Sequence, residues 1–156
     1  MMTRKESFKV AVEAEIRSQL LYDALSKSFG NNETYNAFHE LMIYETTHEE
    51  KLRNAFAAEF PGELLVTDGE RKLSIPGVEL TDPKDVLEYA ISREEEANAI
   101  YLAMAKDSSD AATKAMLLQL AEEECNHKAL LLAEVQRLHG AMQWYDPSEL
   151  SGLMED

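Results

Sequence analysis

Apolar residues recur every three or four positions along four long stretches of the chain, with polar, glycine or proline breaks between them. This spacing puts the apolar residues on one face of a helix, so the pattern predicts four amphipathic α-helices. Glycine at Gly30 and Gly62 ends the first two helices. Thr81 or Asp82 caps the third, which starts at Pro83. The predicted helices cover about residues 5–29, 33–60, 83–107 and 110–140.

Residues 61–82 break the helical pattern and hold three of the six glycines. The two short connections make antiparallel hairpins, and a connection of this length acts as a crossover between them. The expected fold is therefore all-α, a four-helix bundle of two antiparallel hairpins joined by a long crossover. We assign residues 1–140 to the bundle and residues 141–156 to a short C-terminal tail, which has room for one short helix.

The chain matches itself without a gap at an offset of 79 residues, as Glu15 against Glu94 shows. Each copy has a Glu, a Tyr seven positions later, and a Glu-x-x-His motif that begins thirty positions after the first Glu. Residues three apart on a helix share a face, so the Glu and His of a motif can reach a common point. The matched pairs are Glu15 and Glu94, Tyr22 and Tyr101, Glu45 and Glu124, and His48 and His127.

The Glu and His residues of the repeat interrupt the apolar stripes of the four helices at mid-helix. Because a bundle turns these stripes inward, the repeat brings four carboxylates and two imidazoles into the core. Without compensation, each buried carboxylate costs several kcal/mol or takes up a proton. Two divalent cations would neutralise all four. Glu and His ligands without a thiolate suit iron or manganese and also accept zinc, and two iron ions are the first choice.

The charge, the apolar stretches and the cysteine count of the chain limit the partners it can bind and the cellular location to expect. The chain has 30 acidic and 15 basic residues, a net charge of −15, which argues against nucleic-acid binding. No stretch approaches the roughly 18 consecutive apolar residues of a membrane span, so no membrane association is expected. Cys125 is the single cysteine, which excludes an internal disulfide and a Cys-x-x-Cys metal knuckle. A reducing, cytoplasmic setting is the default expectation.

The order Glu, Glu-x-x-His, Glu, Glu-x-x-His over four helices resembles the ferritin-like superfamily, and specifically its rubrerythrin-like branch. Residues 90–94 (Ala-Ile-Ser-Arg-Glu) and residues 97–101 are similar to the third helix of that branch. The resemblance covers about residues 5–140 and implies a ferritin-like bundle with a carboxylate-bridged pair of iron ions.

The resemblance also implies a role for each ligand. In that family the glutamates of the two Glu-x-x-His motifs bridge the metals, and these correspond to Glu45 and Glu124 here. The remaining implied ligands, each on one metal, are Glu15, Glu94, His48 and His127.

Two departures from the family pattern bear on activity. Typical rubrerythrins carry a rubredoxin-like module with two Cys-x-x-Cys pairs, whereas this chain has only Cys125. Electrons for any reductase activity would therefore come from an external electron-donor protein. The family also has an extra Glu three residues after the third-helix ligand, where this chain has Ala97, and its absence argues against efficient peroxide reduction.

Several residues near the motifs have two interpretations. Tyr22 and Tyr101 are candidates for hydrogen-bond donors to the ligands or for one-electron relays, with core packing as the simpler interpretation. Glu123 and Tyr44 each precede a ligand Glu, and a solvated role is the preferred interpretation for both. Cys125 is interpreted as a packing residue.

The expected function is that of a di-iron oxidoreductase, in which Fe(II) pairs react with O2 or hydrogen peroxide, in a chain that forms a homodimer. A ferroxidase or iron-handling protein is the first alternative, which requires a multi-subunit shell and more than two irons per chain. The second is a non-catalytic binding protein that the metals only stabilise, which requires a metal-dependent melting temperature and no consumption of oxidant.

Overall fold

The computed structural model describes residues 2–28, 32–67 and 83–143 and folds them into four α-helices, with no strand among these residues. The helices are α1 (Arg4–Ser28), α2 (Asn32–Glu59), α3 (Pro83–Lys106) and α4 (Ala111–Gln143). The predicted all-α class is therefore confirmed. None of these four helices has the length and apolar character needed to cross a bilayer.

The largest difference from the expected boundaries is at the end of α4. The sequence pattern predicts an end at about Gly140, but the helix continues to Gln143. A single glycine lowers helix stability by only about 1 kcal/mol relative to alanine, and Ala, Met and Gln follow it, all good helix formers. The predictions that fall outside the described residues are the stop at Gly30, the cap at Thr81 or Asp82, and the short helix in the tail.

Side chains cap the first turns of α1 and α4, where backbone amides have no partner within the helix. At α1, the amide of Glu6 donates to Thr3 Oγ1 at 3.1 Å, and the Glu6 carboxylate accepts from the Thr3 amide at 3.4 Å. At α4, the amide of Thr113 donates to Asp110 Oδ2 at 2.8 Å, and this bond lowers the pKa of Asp110. Asp110 is therefore the N-cap of α4.

The chain leaves α2 through a tight turn at Pro61 and Gly62. The amide of Glu63 donates to the carbonyl of Phe60 at 3.1 Å, and Gly62 has a φ of 80°. Proline at the second position and glycine with positive φ at the third make a type II turn. A Cβ on Gly62 would meet no atom within 4 Å, so the backbone angle, and not the available space, selects glycine.

The helices pack as two hairpins, α1 with α2 and α3 with α4, which meet mainly where α1 packs on α3. Helices α1 and α3 are antiparallel, because Tyr22 of α1 contacts Glu94 of α3. In the same way, Tyr101 of α3 contacts Glu15 of α1. Hence α2 and α3 run in the same direction, so the end of α2 and the start of α3 lie at opposite ends of the bundle. The 24 residues of α3 span about 36 Å, a distance that a short loop could not cover but residues 60–82 can.

Two apolar clusters fill the core, one on each side of a polar layer at mid-helix. The Phe8 cluster contains Phe8, Ala11, Val12, Ile16, Leu52, Phe56, Ala97, Tyr101, Met104, Ala105, Leu117, Leu120 and Ala121. The Leu21 cluster contains Leu21, Tyr22, Leu25, Phe38, Leu41, Val86, Leu87, Ala90 and Leu131. All four helices contribute to both clusters, so the packing above and below fixes the register of the helices at the layer between.

The turn after α2 gives a stability prediction. Gly62→Ala should lower the free energy of unfolding by about 1–2 kcal/mol, because a residue with a Cβ resists the left-handed backbone angle. Urea-induced unfolding followed by circular dichroism measures the change. Gly62→Asn is the matched control and should cost less, since asparagine adopts positive φ more readily. Equal losses for the two variants would contradict the conformational explanation.

Candidate metal centre

The layer between the two apolar clusters consists of acidic and histidine side chains that are almost completely buried. One Glu comes from α1, one from α3, and a Glu and a His three residues apart from each of α2 and α4. The most exposed of the six retains 3% of its accessible surface. The structure thus brings together all six side chains that the repeat singles out: Glu15, Glu45, His48, Glu94, Glu124 and His127.

The six side chains form two overlapping groups of four, and within each group the possible ligand atoms lie within 4.8 Å of one another. Glu15 and His48 belong to the first group and Glu94 and His127 to the second, while Glu45 and Glu124 belong to both. A carboxylate has two oxygens, so each shared residue can face both groups. The bridging roles implied by the resemblance fit this arrangement, and metal ligation itself remains a prediction.

The contacts inside the layer follow the two-fold relation of the repeat. His48 Nδ1 lies 2.7 Å from Glu124 Oε1, and His127 Nδ1 lies 2.8 Å from Glu45 Oε1. Glu15 and Glu94 each belong to one group only, and we call them the terminal carboxylates. The distance from each Nδ1 to the terminal carboxylate of its own group is 3.7 Å in both copies. The two imidazole rings stack with centroids 5.5 Å apart. Both histidines therefore turn Nδ1, rather than Nε2, towards the four buried carboxylates of the layer.

Buried polar atoms without a hydrogen-bond partner gather in this layer. Five of the seven such atoms among the described residues lie here: Oε2 of Glu15, Glu45 and Glu94, Oε1 of Glu124 and Nδ1 of His48. His48 Nδ1 is close to Glu124 Oε1, but the two atoms lack the alignment of a hydrogen bond. Each such atom costs about 1–3 kcal/mol when it has no partner. Four carboxylate oxygens and an imidazole nitrogen are the donor set that divalent iron or manganese accepts, so the residues fit a metal pair.

The carboxylates perturb one another because burial weakens the screening between them. Burial, together with the neighbouring carboxylates Glu15 and Glu94, raises the pKa of Glu45 and of Glu124 well above the ordinary value. Burial also acts to raise the pKa of Glu94, but the interactions of this carboxylate with Glu124 and His127 outweigh burial and lower that pKa. In the absence of a metal, burial and the neighbouring carboxylates both favour the protonated form of the two shared carboxyls over the charged form.

The two repeat-related tyrosines hold the terminal carboxylates of the opposite hairpin. The hydroxyl of Tyr22 donates to Glu94 Oε1, and the hydroxyl of Tyr101 donates to Glu15 Oε1. Burial and the nearby carboxylates raise both tyrosine pKa values well above the ordinary value, so the hydroxyls keep their protons and remain donors. Both rings also belong to the apolar clusters. A one-electron relay role for these tyrosines remains a prediction.

The solvated role preferred for Glu123 is incomplete, because its partly exposed carboxylate also contacts a histidine of the layer. Glu123 Oε2 lies 3.2 Å from His48 Nε2, and 26% of the side chain is exposed. Tyr44 is 49% exposed, as the sequence predicts, but its ring also lies against His127 with centroids 5.3 Å apart. These contacts depend on the register between α2 and α4, which the sequence pattern of one helix does not reveal.

A pair of amide side chains next to the layer was not apparent from the motifs. Gln19 accepts a hydrogen bond from Thr46 Oγ1 at 3.1 Å, and Asn98 donates to Cys125 Sγ at 3.3 Å. Gln19 and Asn98 are related by the offset of the repeat, and so are Thr46 and Cys125. The repeat therefore contained the signal for this pair. Cys125 is exposed, so its interpretation as a packing residue is wrong.

Comparison with known proteins supports the resemblance inferred from the motifs. Residues 85–151 match the protein family described as Rubrerythrin. The matched segment includes Glu94, Glu124 and His127, which form the second copy of the repeat. Over this segment the similarity to the rubrerythrin-like branch is confirmed, and the internal repeat relates the first copy to it.

The fold is shared with a solved structure of a hypothetical protein from Pyrococcus furiosus. The two chains superpose with a TM-score of 0.78 at 24% sequence identity, over 89% of this chain and 92% of that chain. At this identity the likeness establishes the fold alone, a bundle of four helices. No curated protein shows a significant match to the chain.

The raised pKa values give a prediction for the metal-free protein, whose melting temperature should fall as the pH rises from about 5 to 8. A carboxyl group whose pKa is raised by folding stabilises the protein fully below its unfolded pKa of about 4.3, and the contribution is lost as pH rises through the folded value. Glu45 and Glu124 act in this sense and Glu94 in the opposite one. Calorimetry of chelator-treated protein measures the trend.

The control for this trend is the double variant Glu45→Gln/Glu124→Gln, which replaces both protonated carboxyls by neutral amides of similar shape. It should have a smaller pH dependence than the wild type over the same range. A wild-type melting temperature that rises with pH, or an unchanged slope in the variant, would contradict the assignment of protons to the shared carboxylates.

Proposed function

We propose that the layer binds two iron ions and that the protein is an oxidoreductase of rubrerythrin-like type, using O2 or hydrogen peroxide as the oxidant. The observation that carries this proposal is the pair of overlapping four-residue groups that share Glu45 and Glu124. Two separate mononuclear sites would not need shared carboxylates, whereas a pair of metals a few ångströms apart does.

The ligand set balances the charge of two ferrous ions. Each group supplies one imidazole nitrogen and one terminal carboxylate, and the two shared carboxylates complete both groups. Four carboxylates carry four negative charges, which two divalent cations neutralise, and the neutral imidazoles add none. When bound, a pair of ferrous ions would supply two electrons, which with two protons reduce O2 to hydrogen peroxide, or hydrogen peroxide to two water molecules.

The surrounding residues position the ligands and exclude water. The Phe8 and Leu21 clusters close the layer from above and below, so the carboxylates face one another in a medium of low polarity. Tyr22 and Tyr101 each donate to one terminal carboxylate and hold it in place from the opposite hairpin. These two terminal carboxylates are therefore already held in place before a metal binds.

Ala97 distinguishes this site from the family pattern. Its side chain is buried in the Phe8 cluster, at the position where the family has an additional Glu. One turn after Glu94, the chain therefore contributes an apolar methyl group next to the layer instead of a further carboxylate. This favours O2 over hydrogen peroxide as the oxidant that reacts faster, with an external protein returning electrons to the site.

A loading experiment tests the oxidoreductase proposal. The metal-free protein is loaded with Fe(II) under anaerobic conditions, its iron content is measured, and it is then mixed with O2 or with hydrogen peroxide in a stopped-flow spectrometer. We expect about two irons per chain and growth of ferric absorption in the near ultraviolet, faster with O2. Light scattering of the same sample should show a small oligomer such as a dimer.

Other outcomes of the loading experiment separate the alternatives. More than two irons per chain in a large shell would favour iron storage. Two metals that raise the melting temperature without consuming either oxidant would favour a structural role. No stoichiometric iron would contradict a di-iron centre.

The shared and unshared ligands should differ in their effect on metal content. Glu45→Ala or Glu124→Ala should lose both metals, since each of these residues belongs to both groups, whereas His48→Ala or His127→Ala should weaken mainly one. Elemental analysis of reconstituted protein measures the stoichiometry. Glu122→Ala is the matched control, because Glu122 is exposed on α4 two residues from Glu124, and it should keep both metals. If all four ligand variants kept two metals, the ligand assignment would be wrong.

A further inference from the structure

The two halves of the candidate metal centre are equivalent on the inside and different on the outside. Inside, the contacts of His48 and His127 with the carboxylates agree to within 0.1 Å for the shortest pair, at 2.7 and 2.8 Å. Outside, the residues that face the two imidazoles are Glu123 and Tyr44, which occupy the same position in the repeat. One histidine thus has a carboxylate behind it and the other has an aromatic ring.

The hydrogen bonds of the two histidines differ accordingly. His48 Nε2 contacts Glu123 Oε2 at 3.2 Å, while its Nδ1 has no hydrogen bond. Glu123 accepts, so the proton of a neutral His48 lies on Nε2 and the lone pair of Nδ1 faces the carboxylate layer. His127 has its hydrogen bond at Nδ1 instead, to Glu45 Oε1 at 2.8 Å. That bond has to be broken before His127 Nδ1 can bind a metal.

We propose that Glu123 is a positioning residue that makes the two metal sites unequal, so that the site of Glu15 and His48 binds first and more tightly. The second site, of Glu94 and His127, would then bind its metal more weakly and exchange it more readily. A carboxylate behind a ligating histidine fixes the ring and its tautomer and strengthens the nitrogen as a ligand. Removing such a partner typically lowers metal affinity by about 10–100-fold.

The position of Glu123 suits this role. Its side chain is 26% exposed, so the carboxylate is partly solvated and does not itself belong to either group of possible ligands. The ring of Tyr44 is tilted by 51° to that of His127, a packing contact that offers no carboxylate oxygen to Nε2. The shortest inner distances are nearly equal, so the outer pair, and the tautomer that Glu123 sets at His48, distinguish the two sites.

The first measurement needs no metal. In the metal-free wild type, nitrogen-15 chemical shifts of the imidazoles should show His48 with its proton on Nε2. In Glu123→Ala this preference should be lost at His48, while the signals of His127 stay unchanged as an internal reference. Glu123→Gln keeps a carbonyl oxygen as acceptor and should retain the Nε2 proton. An unchanged His48 tautomer in Glu123→Ala would overturn the proposal.

The second measurement is a titration with Co(II), followed by calorimetry and visible absorption. The wild type should show two unequal binding steps. Glu123→Ala should weaken the tighter step about 10–100-fold and leave the weaker step within about threefold, and Glu123→Gln should lie closer to the wild type. Tyr44→Phe is the matched control at the equivalent position and should change neither step. A melting curve of each variant verifies that it is folded.

The inference rests on the proposed use of the six residues as metal ligands, and the titration distinguishes the two failures. No Co(II) bound by the wild type would contradict the metal centre itself. Two equal steps in the wild type, or an equal loss in both steps for Glu123→Ala, would contradict only the inequality of the sites.

Discussion

Four carboxylates buried at the middle of one bundle are the constraint on which the rest of the structure depends. Their mutual repulsion and their loss of water oppose folding and raise the pKa of two of them, Glu45 and Glu124. Tyrosine hydroxyls donate hydrogen bonds to the other two. Apolar clusters above and below supply the favourable burial that the layer lacks. The apolar packing that stabilises the bundle therefore lies towards its two ends, and the candidate ligand groups lie at its middle.

Neither hairpin can complete a ligand group by itself. The first group takes three residues from α1 and α2 and one, Glu124, from α4. The second group likewise takes three residues from α3 and α4 and one, Glu45, from α2. The tyrosine bonds also cross from one hairpin to the other. Formation of the site thus requires docking of the hairpins, and any ion that binds there stabilises the docked state in preference to separate hairpins.

The sequence determines much of this, but by two kinds of signal with different reach. Helical periodicity predicts the four helices, and the internal repeat identifies the six layer residues, because both depend on spacing along one chain segment. The contact of Glu123 with His48 depends on the rotation and register of α4 against α2, which side-chain packing decides. Periodicity also does not predict the continuation of α4 beyond Gly140, which depends on the helix propensity of the residues that follow the glycine.

The long connection between α2 and α3 has a consequence for symmetry. Two identical hairpins, associated as separate chains, would have to present the same residue behind both histidines, because any substitution would occur twice. Joining the hairpins in one chain removes that restriction, and this protein has Glu123 at one position and Tyr44 at the other. The two halves of a pseudo-symmetric centre can then differ in function, with one half adapted to retain its metal ion and the other to exchange it.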